Sequence, residues 1–491
     1  MKENKMKRST RKAIMWTISV LLLFLISNYC TKNSFAAKPD KSTSTAPQNL
    51  NAADITSNSL TLTWSPPTGG LGVREYQIYK NNTYLCSTTS ITYAVSGLTP
   101  ATTYQFYVKA KDTKRNMSPA SNTISVTTAA PALPPAETQP QSGRIVGYYA
   151  AWEAYSGVCP DQIDASKLTH INYAFANIGP DLKITLGYPD VDPNNIRLLN
   201  SLKLQNPNLK TLISVGGWNW SGKFSDAALT DASRNAFADS AVDFITKYGF
   251  DGIDLDWEYP VSGGLTTNTR RPEDKQNFTL LLQKIREKLD ARGAMDQKHY
   301  LLTIAGGADA SYVKNVEMAK LAQYLDYANI MTYDLHGTWD PYTDLLAPLY
   351  NNNDSSPQYK ASVDSGVTAW LNASFPADKL VMGIPFYGYL YSSVNNSNNG
   401  LYQTYGGANS ISYKDIKANY LNKTGYTRYF HSQSMVPWLF NGTIFISYED
   451  PQSIANKTDY IKSKKLGGAM VWELGQDSNG ELLDTLYNGL K

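Results

Sequence analysis

Apolar and polar residues alternate in several short stretches between residues 46 and 128. The alternation is strict in residues 59–64 (SLTLTW), and residues 75–79 and 104–110 repeat it. A turn-forming segment, PPTGG at residues 66–70, separates two of these stretches. Alternation places every second side chain on one face of a strand, and closely spaced strands of this kind are typical of a two-sheet sandwich. The pattern therefore predicts an all-β domain.

From Gly143 onward, continuous apolar runs alternate with helical stretches. In residues 277–289, for example, apolar residues recur at helical spacing, with Pro272 before them and Gly293 after them. Parallel strands that are buried on both faces are expected to be apolar throughout. Eight runs fit this description: residues 144–150, 168–176, 211–216, 252–257, 301–305, 327–332, 380–385 and 467–472. Eight strand–helix units over about 350 residues predict a (β/α)8 barrel.

A doubly wound open sheet is the alternative fold for this half of the chain. Such a sheet should carry a Gly-rich phosphate-binding turn after its first strand, and no such turn follows residues 144–150. We therefore favour the barrel.

Two segments interrupt the predicted domains. Residues 129–142 (AAPALPPAETQPQS) are rich in Pro, which predicts a semi-rigid linker. Residues 389–463 lie between the seventh and eighth predicted strands, and this gap is far too long for one helix. The segment is rich in Tyr, Asn, Ser and Gly, which indicates an insertion.

The N-terminus is predicted to be a secretory signal peptide that covers residues 1–36. Six basic residues precede an apolar run at residues 13–26, and Ser34 and Ala36 place small side chains where a signal peptidase reads them. The run is short for a bilayer span, although a retained anchor is the alternative. Residues 37–45 fit a polar spacer. We expect a secreted, extracellular protein that has no membrane contact after cleavage.

Charge and composition argue against several classes of partner. Removing residues 1–36 removes seven Lys/Arg and one Asp/Glu, so the formal net charge changes from +3 to −3. A slightly acidic chain offers no electrostatic basis for binding nucleic acid. The four His are scattered and form no H-x-x-x-H pair, so we predict neither a metal site nor a cofactor. Cys86 and Cys159 fall in different predicted domains, so no structural disulfide is expected.

A stripe of acids occupies the fourth predicted strand, in residues 251–260 (DGIDLDWEYP). Asp254, Asp256 and Glu258 recur with a period of two, so in a strand they point to the same side. Pro260 should end the strand, which places the acids at its C-terminal end. Like charges this close resist simultaneous ionisation, so one proton is retained. A retained proton is what a general acid needs at neutral pH.

The same end of the other predicted strands is unusually aromatic. The C-terminal strand ends of a barrel converge on one face, so these side chains should surround the acids. Aromatic faces match the apolar faces of pyranose rings, and small residues let a ligand approach the backbone. The candidate substrate-binding residues are Tyr148, Trp152, Phe175, Gly217, Trp218, Tyr259, Met331, Asp334, Trp339, Tyr387 and Trp472.

The acidic run has the form D-x-x-D-x-D-x-E and resembles the active-site strand of family 18 glycoside hydrolases, the chitinase family. Residues 214–217 (S-x-G-G), residues 331–334 (M-x-Y-D) and Trp472 are also similar to that family. The resemblance covers residues 143–491. It implies a (β/α)8 TIM barrel in which residues 389–463 form a small α+β insertion between strands 7 and 8.

The N-terminal sandwich resembles a fibronectin type III domain over residues 46–128. Residues 98–104 (LTPATTY) are similar to its tyrosine corner, and Trp64 lies in the second strand. The whole chain is therefore expected to be a multidomain protein, with the fibronectin type III sandwich followed by the barrel. We interpret the sandwich as a spacer; direct sugar binding by this domain is the alternative.

The resemblance to family 18 also implies roles for the acids. Glu258 would protonate the glycosidic oxygen, and the substrate's own acetamido oxygen would be the nucleophile. Asp256 would hold the acetamido N–H, while Asp254 would share a proton with Asp256. Tyr333 would donate to the acetamido oxygen, and Trp472 would form the floor under the distorted sugar.

The resemblance favours a secreted, monomeric chitinase that acts on chitin or chitooligosaccharides. An endo-N-acetylglucosaminidase for other N-acetylglucosamine-containing glycans is the enzymatic alternative, and an inactive lectin is the non-enzymatic one. One departure concerns Tyr389, which stands where many relatives carry an arginine that reaches into the cleft. The contact made by that charge is expected to be absent or supplied elsewhere.

Overall fold

The computed structural model describes residues 45–99, 102–129, 143–354, 360–477 and 479–491. The chain divides into two units, one before and one after the Ala130–Pro131 bond. Each unit is described below by itself. The predicted signal peptide, residues 37–44 of the spacer and residues 130–142 of the linker lie outside the described residues.

The described residues of the first unit form seven strands in two antiparallel sheets, which confirms the predicted sandwich. One sheet has the order β1-β2-β5 and the other has the order β4-β3-β6-β7. The strands are β1 (Gln48–Ala53), β2 (Ser59–Ser65), β3 (Val73–Lys80), β4 (Thr83–Thr88), β5 (Thr92–Ser96), β6 (Thr103–Asp112) and β7 (Ile124–Thr127).

Alternating side chains fill the space between these two sheets. Trp64 on β2 packs edge-on against Tyr76 on β3, with ring centroids 5.4 Å apart. The hydroxyl of Tyr104 accepts a hydrogen bond of 2.9 Å from the backbone N–H of Thr99. This bond ties the start of β6 to the preceding corner, as the predicted tyrosine corner requires.

The second unit is built on eight parallel strands that close into a barrel, because the first strand pairs with both the second and the last. The predicted barrel is therefore confirmed. Its strands are β8 (Arg144–Ala150), β9 (His170–Ile178), β11 (Lys210–Gly216), β12 (Gly252–Asp256), β13 (Leu301–Gly307), β14 (Tyr327–Met331), β15 (Leu380–Pro385) and β21 (Gly468–Trp472). A short strand, β10 (Ile184–Leu186), pairs antiparallel with β9 outside the closed ring.

Helices follow most of the barrel strands. The longest, α4 (Asp274–Asp296), ends at Gln297, whose left-handed backbone has φ 53°. The other helices are α1 (Asp192–Ser201), α2 (Phe224–Leu229), α3 (Asp231–Tyr248), α5 (Ala310–Asn315), α6 (Met318–Tyr324), α7 (Val363–Asn372), α8 (Tyr413–Asn419), α9 (Pro451–Lys464) and α10 (Glu481–Leu490). No helix among the described residues is both long and apolar enough to span a membrane.

An α+β insertion lies between barrel strands β15 and β21. Its five antiparallel strands have the order β17-β16-β20-β19-β18, and helix α8 follows β17. The strands are β16 (Tyr387–Ser392), β17 (Gly407–Ser412), β18 (Thr427–His431), β19 (Val436–Phe440) and β20 (Phe445–Ser447). The sheet thus begins two residues before the predicted insertion, and α9 follows it.

The parity of β12 decides which side chains face the barrel interior. Ile253, Leu255 and Trp257 join the apolar core outside the strands. Trp257 stacks on Phe224 of α2 at 5.4 Å and meets Phe278 of α4 edge-on at 5.3 Å. Because successive side chains of a strand point to opposite faces, the acids of even parity face inward.

Candidate active site

Asp254 lies at the centre of the barrel, where neighbouring strands supply its hydrogen-bond donors. The register pairs Asp254 with Ser214 on β11 and with Thr303 on β13. Its carboxylate accepts bonds from Ser214 Oγ at 2.8 Å, Thr303 Oγ1 at 2.6 Å and Tyr148 Oη at 2.7 Å. Asp254 is fully buried. Burial raises the pKa of Asp254, while the hydroxyl donors oppose that rise.

Asp251, the acid of opposite parity, lies before β12 at the other end of the barrel. Its carboxylate forms ion pairs with Lys203 at 2.6 Å and Lys298 at 2.7 Å. It also accepts the backbone N–H of Thr211 at 2.9 Å. Burial alone would raise the pKa of Asp251, but the two ammonium groups hold it below its usual value. Asp251 therefore ties three segments together at the closed end of the barrel.

Asp256 is a buried acid with an unused acceptor. Its Oδ1 is buried and accepts no hydrogen bond from the described residues. Burial raises the pKa of Asp256 well above its usual range, and the charges of Glu258 and Asp254 raise it further. Asp254 and Asp256 therefore resist simultaneous ionisation, and the pair retains one proton. Its backbone oxygen accepts bonds from Gly217 N–H at 2.8 Å and Ser221 Oγ at 3.0 Å.

β12 ends at Asp256, four residues before Pro260, so the prediction that Glu258 lies on the strand was wrong. Glu258 lies just beyond the strand end, and its backbone is held from both sides. The backbone N–H of Glu258 donates to Ser221 Oγ at 2.8 Å, and its carbonyl accepts from Asn268 Nδ2 at 3.0 Å. Burial raises the pKa of the Glu258 side chain to about 7. A hydrogen bond from Tyr259 opposes this rise in pKa, and the negative charge of Asp334 adds to it. At neutral pH a large fraction of Glu258 is therefore protonated, as a general acid requires.

The end of β14 brings Tyr333 and Asp334 to the same site. The hydroxyl of Tyr333 makes only a weak contact of 3.8 Å with Met470 Sδ. Burial raises the pKa of this hydroxyl, and the charges of Asp256 and Asp334 raise it further. Met331, the last residue of β14, packs against the aromatic cluster. Asp334 adopts the left-handed conformation at φ 53° and is exposed to solvent.

Aromatic rings form one continuous wall beside the acids. Trp472, the last residue of β21, stacks on Phe175 with centroids 5.6 Å apart and planes at 25°. Tyr148 lies 5.5 Å and Trp152 6.2 Å from the same indole ring. A Cβ at Gly217 would come within 2.6 Å of the Phe175 ring, so only glycine leaves that ring in place.

Three further aromatic residues were predicted to bind substrate. Trp218 is 48% exposed and Trp339 is 61% exposed, which is unusual for tryptophan. The ring of Trp339 packs edge-on against Tyr389 at 6.0 Å. Tyr387 lies on the first residue of β16, and its ring contacts Tyr333 at 6.3 Å.

With the exception of Trp218, the structure brings the predicted site residues together around the acids, at three depths. Asp254 and Tyr148 are fully buried at the deepest level, where the Tyr148 hydroxyl donates its hydrogen bond to Asp254. Glu258 and Tyr333 retain slight exposure, whereas Trp339 is largely exposed. Which of these side chains contact a substrate stays a prediction.

Several residues of the site were not foreseen from sequence. Thr303 is a polar residue in an otherwise apolar strand, and that contrast was a usable signal. Ser221 and Asn268 left no such signal, because they lie on loops whose approach to Glu258 depends on the fold. The described residues contain no cluster of His, Cys, Asp and Glu that could hold a metal ion.

Sequence comparisons place both units in known families. Residues 144–477 match the model described as glycosyl hydrolases family 18, and residues 45–127 match the fibronectin type III domain. Chitinase A1 of Niallia circulans is 47% identical over 429 residues, which cover 75% of this chain and 61% of that relative. The match therefore spans less than two thirds of the relative's length.

Solved structures agree with this assignment. A family 18 N-acetylglucosaminidase from Paenibacillus barengoltzii matches with a TM-score of 0.65 and 41% identity, over 71% of this chain and 99% of that one. Chitinase ChiA74 from Bacillus thuringiensis matches with a TM-score of 0.68 and 39% identity, over 71% of this chain and 70% of that one. Together with the acids on β12 and the closed eight-stranded barrel, these matches show that the chain belongs to glycosyl hydrolases family 18.

Proposed function

We propose that this chain is a chitinase that hydrolyses the β-1,4 bonds between N-acetylglucosamine units with retention of anomeric configuration. The observation that carries the proposal is the pairing of two acids on one strand end. Glu258 has a pKa of about 7 and can donate a proton, while Asp256 keeps an unused acceptor oxygen. The chitinase names of the relatives support the substrate class.

In the first step, Glu258 donates its proton to the glycosidic oxygen as the bond from C1 to that oxygen breaks. The acetamido carbonyl oxygen of the same sugar attacks C1 from the opposite face and forms an oxazolinium ion. Asp256 accepts the acetamido N–H, and its negative charge stabilises the cation. Tyr333 has a hydroxyl with only a weak sulfur contact, so it is available to donate to the acetamido oxygen.

In the second step, water attacks C1 and the ionised Glu258 accepts a proton from it. The oxazolinium ring opens, the acetamido group is restored, and two inversions give net retention. Asp254 is fully buried and already accepts three hydroxyl bonds, so it does not serve as a nucleophile towards the sugar. A substrate nucleophile fits this arrangement better than a second protein carboxylate.

The aromatic wall fits the apolar faces of a sugar chain. Trp472, supported by Phe175 and Trp152, provides a flat surface beside the acids. The rings of Trp218 and Trp339 are exposed and so are free to contact a ligand. We infer that these rings bind successive sugars of chitin or a chitooligosaccharide.

The decisive experiment is Glu258→Gln, which keeps the side-chain volume and removes the proton. We expect unchanged thermal unfolding and a loss of at least about 100-fold in kcat on chitopentaose, the lower end of what a general acid supplies. Glu287→Gln is a matched control, because Glu287 lies on α4 and its side chain is 54% exposed. Substantial residual turnover by Glu258→Gln would contradict the assignment.

Substrate assistance makes a second, independent prediction. Oligosaccharides whose 2-acetamido groups have been replaced by free amines should bind without being cleaved, because they lack the nucleophile. Efficient hydrolysis of these oligosaccharides, or of a glucose polymer, would exclude the mechanism while leaving the fold assignment intact.

Product analysis separates the alternatives that remain. An endo-N-acetylglucosaminidase would prefer a high-mannose glycopeptide over chitin, and a lectin would bind chitooligosaccharides without turnover. The similarity to an N-acetylglucosaminidase from Paenibacillus barengoltzii adds the release of single N-acetylglucosamine units as an outcome to monitor.

We also infer that the protein is exported, acts as a monomer and binds no nucleic acid. The predicted signal peptide and the acidic balance of residues 37–491 support this inference. N-terminal sequencing of the protein from the medium should begin at Ala37, and size-exclusion chromatography with light scattering should give the mass of one chain.

A further inference from the structure

Asp334 receives two phenolic hydrogen bonds on a single oxygen. Tyr387 donates to Asp334 Oδ1 at 2.5 Å, and Tyr389 donates to the same oxygen at 2.8 Å. Both tyrosines belong to β16 and are two residues apart, so they point to the same face of that strand. The carboxylate of Asp334 is therefore oriented by the insertion rather than by its own loop.

Tyr389 is held rigidly in place. Its strand is flanked on both sides, with Tyr389 paired to Ser410 on β17 and to Ser447 on β20. Only 8% of Tyr389 is exposed, and its ring packs edge-on against Tyr387 at 5.9 Å and Tyr391 at 6.5 Å. A Tyr389 phenol that is fixed in this way can orient the Asp334 carboxylate to which it donates.

Burial raises the pKa of the Asp334 carboxyl, and the hydrogen bonds from Tyr387 and Tyr389 oppose that rise because they stabilise the anion. Burial raises the pKa of Tyr389 far above its ordinary value, so the phenol stays neutral at working pH. No ion pair within 4 Å joins Asp334 to a cation among the described residues of the salt-bridge network. The negative charge of Asp334 raises the pKa of Glu258 and of Tyr333.

We propose that Tyr389 is a positioning residue, which holds Asp334 in one orientation as an uncompensated anion and so helps to retain the proton on Glu258. This inference rests on the proposed function, since it concerns the same site. The groups that face Glu258 and Asp334 are Asp256, Tyr259, Tyr333, Tyr387, Tyr389 and Tyr391. None of these residues is a cation, so an arginine at residue 389 would add the first positive charge to this set.

Two substitutions separate orientation from charge. Tyr389→Phe removes one donor and leaves the ring, so Asp334 turns more freely and titrates at a higher pH. We expect KM for chitopentaose to rise about tenfold or more, as for the loss of a hydrogen bond to a charged group, with kcat nearly unchanged. Tyr389→Arg places a cation beside Asp334, and we expect the Glu258 titration midpoint to fall by about one unit.

Tyr391→Phe is the matched control. Tyr391 lies two residues further along β16, and its buried hydroxyl has no hydrogen-bond partner among the described residues. Removing that hydroxyl should leave KM, kcat and both titration midpoints at the wild-type values.

The titrations are followed by NMR of protein labelled with ¹³C at the carboxyl carbons of Glu and Asp. Glu258 and Asp334 are assigned by the signals that vanish in Glu258→Gln and Asp334→Asn, and circular dichroism verifies that each variant is folded. Titration needs no turnover, so it tests the inference even if the wild-type protein fails to cleave chitopentaose, which would refute the proposed function instead. The inference is overturned if the Asp334 midpoint in Tyr389→Phe equals that in Tyr391→Phe, or if Tyr389→Arg leaves Glu258 unmoved.

Discussion

Replacing Tyr148 by phenylalanine would remove one hydroxyl from the bottom of the site and leave the ring. That hydroxyl donates to Asp254 Oδ2 at 2.7 Å and accepts from Asn329 Nδ2 at 3.2 Å. Tyr148 is fully buried, so no water replaces the lost group without rearrangement. The substitution therefore tests how far the hydroxyls around Asp254 set its protonation.

The expected magnitude follows from these two bonds. A hydrogen bond to a charged group contributes about 1.5–3 kcal/mol and a neutral one about 0.5–1.5 kcal/mol. We expect the free energy of unfolding at pH 7 to fall by about 2–4 kcal/mol. Because the Tyr148 donor lowers the pKa of Asp254, its removal should raise that pKa by about one to two units.

The consequence for activity has a definite sign. Asp254 and Asp256 together hold one proton and one negative charge at neutral pH. The pair loses that negative charge when it takes up a second proton at low pH. A higher pKa for Asp254 brings that second protonation to a higher pH. The acidic limb of kcat against pH should therefore move upward in Tyr148→Phe, while the basic limb, which belongs to Glu258, stays in place.

The assay is a pH profile of kcat on a fluorogenic chitooligosaccharide, combined with urea unfolding. Tyr149→Phe is the control, because Tyr149 lies on the same strand and donates to the backbone oxygen of Val158 at 2.8 Å. It should lose stability without moving the acidic limb. An acidic limb that stays at the wild-type pH in Tyr148→Phe would refute the reasoning.

Two further predictions concern pH and stability. Since the pKa of Glu258 is raised to about 7, kcat/KM should be retained below pH 7 and fall as the pH rises through it, which a pH profile on chitotriose checks. Lys457→Met should destabilise the protein by about 3–5 kcal/mol in urea unfolding, because it leaves the buried carboxylate of Glu449 without its partner. The double variant Lys457→Met, Glu449→Leu should recover most of that loss; no recovery would show that packing, rather than the unpaired charge, causes it.

The acidic run shows how much a local pattern can predict. Period-two spacing predicted that Asp254, Asp256 and Glu258 share a face, and β12 has its apolar residues on the opposite face. The same pattern gave Asp251 the opposite parity. It could not show that Asp251 forms ion pairs with Lys203 and Lys298, since those residues are distant in sequence.

Tyr389 shows where sequence reasoning stopped. From sequence, the absence of an arginine predicted that a contact would be missing or supplied elsewhere. The structure shows a phenol at this position that hydrogen-bonds Asp334. The sequence shows that residue 389 is a tyrosine. It does not show which carboxylate accepts the hydrogen bond of that tyrosine, because the two residues are brought together only by the fold.

The sequence alone determined the two-domain organisation, the parallel strands of the barrel and the position of the acids at the end of the fourth strand. These features depend on the periodic spacing of apolar and polar residues that are close together in the sequence. Only the tertiary structure decided the protonation of those acids. The pKa of Glu258 and the three hydroxyl bonds to Asp254 depend on burial and on donors from other strands, and the closure of the barrel brings these together.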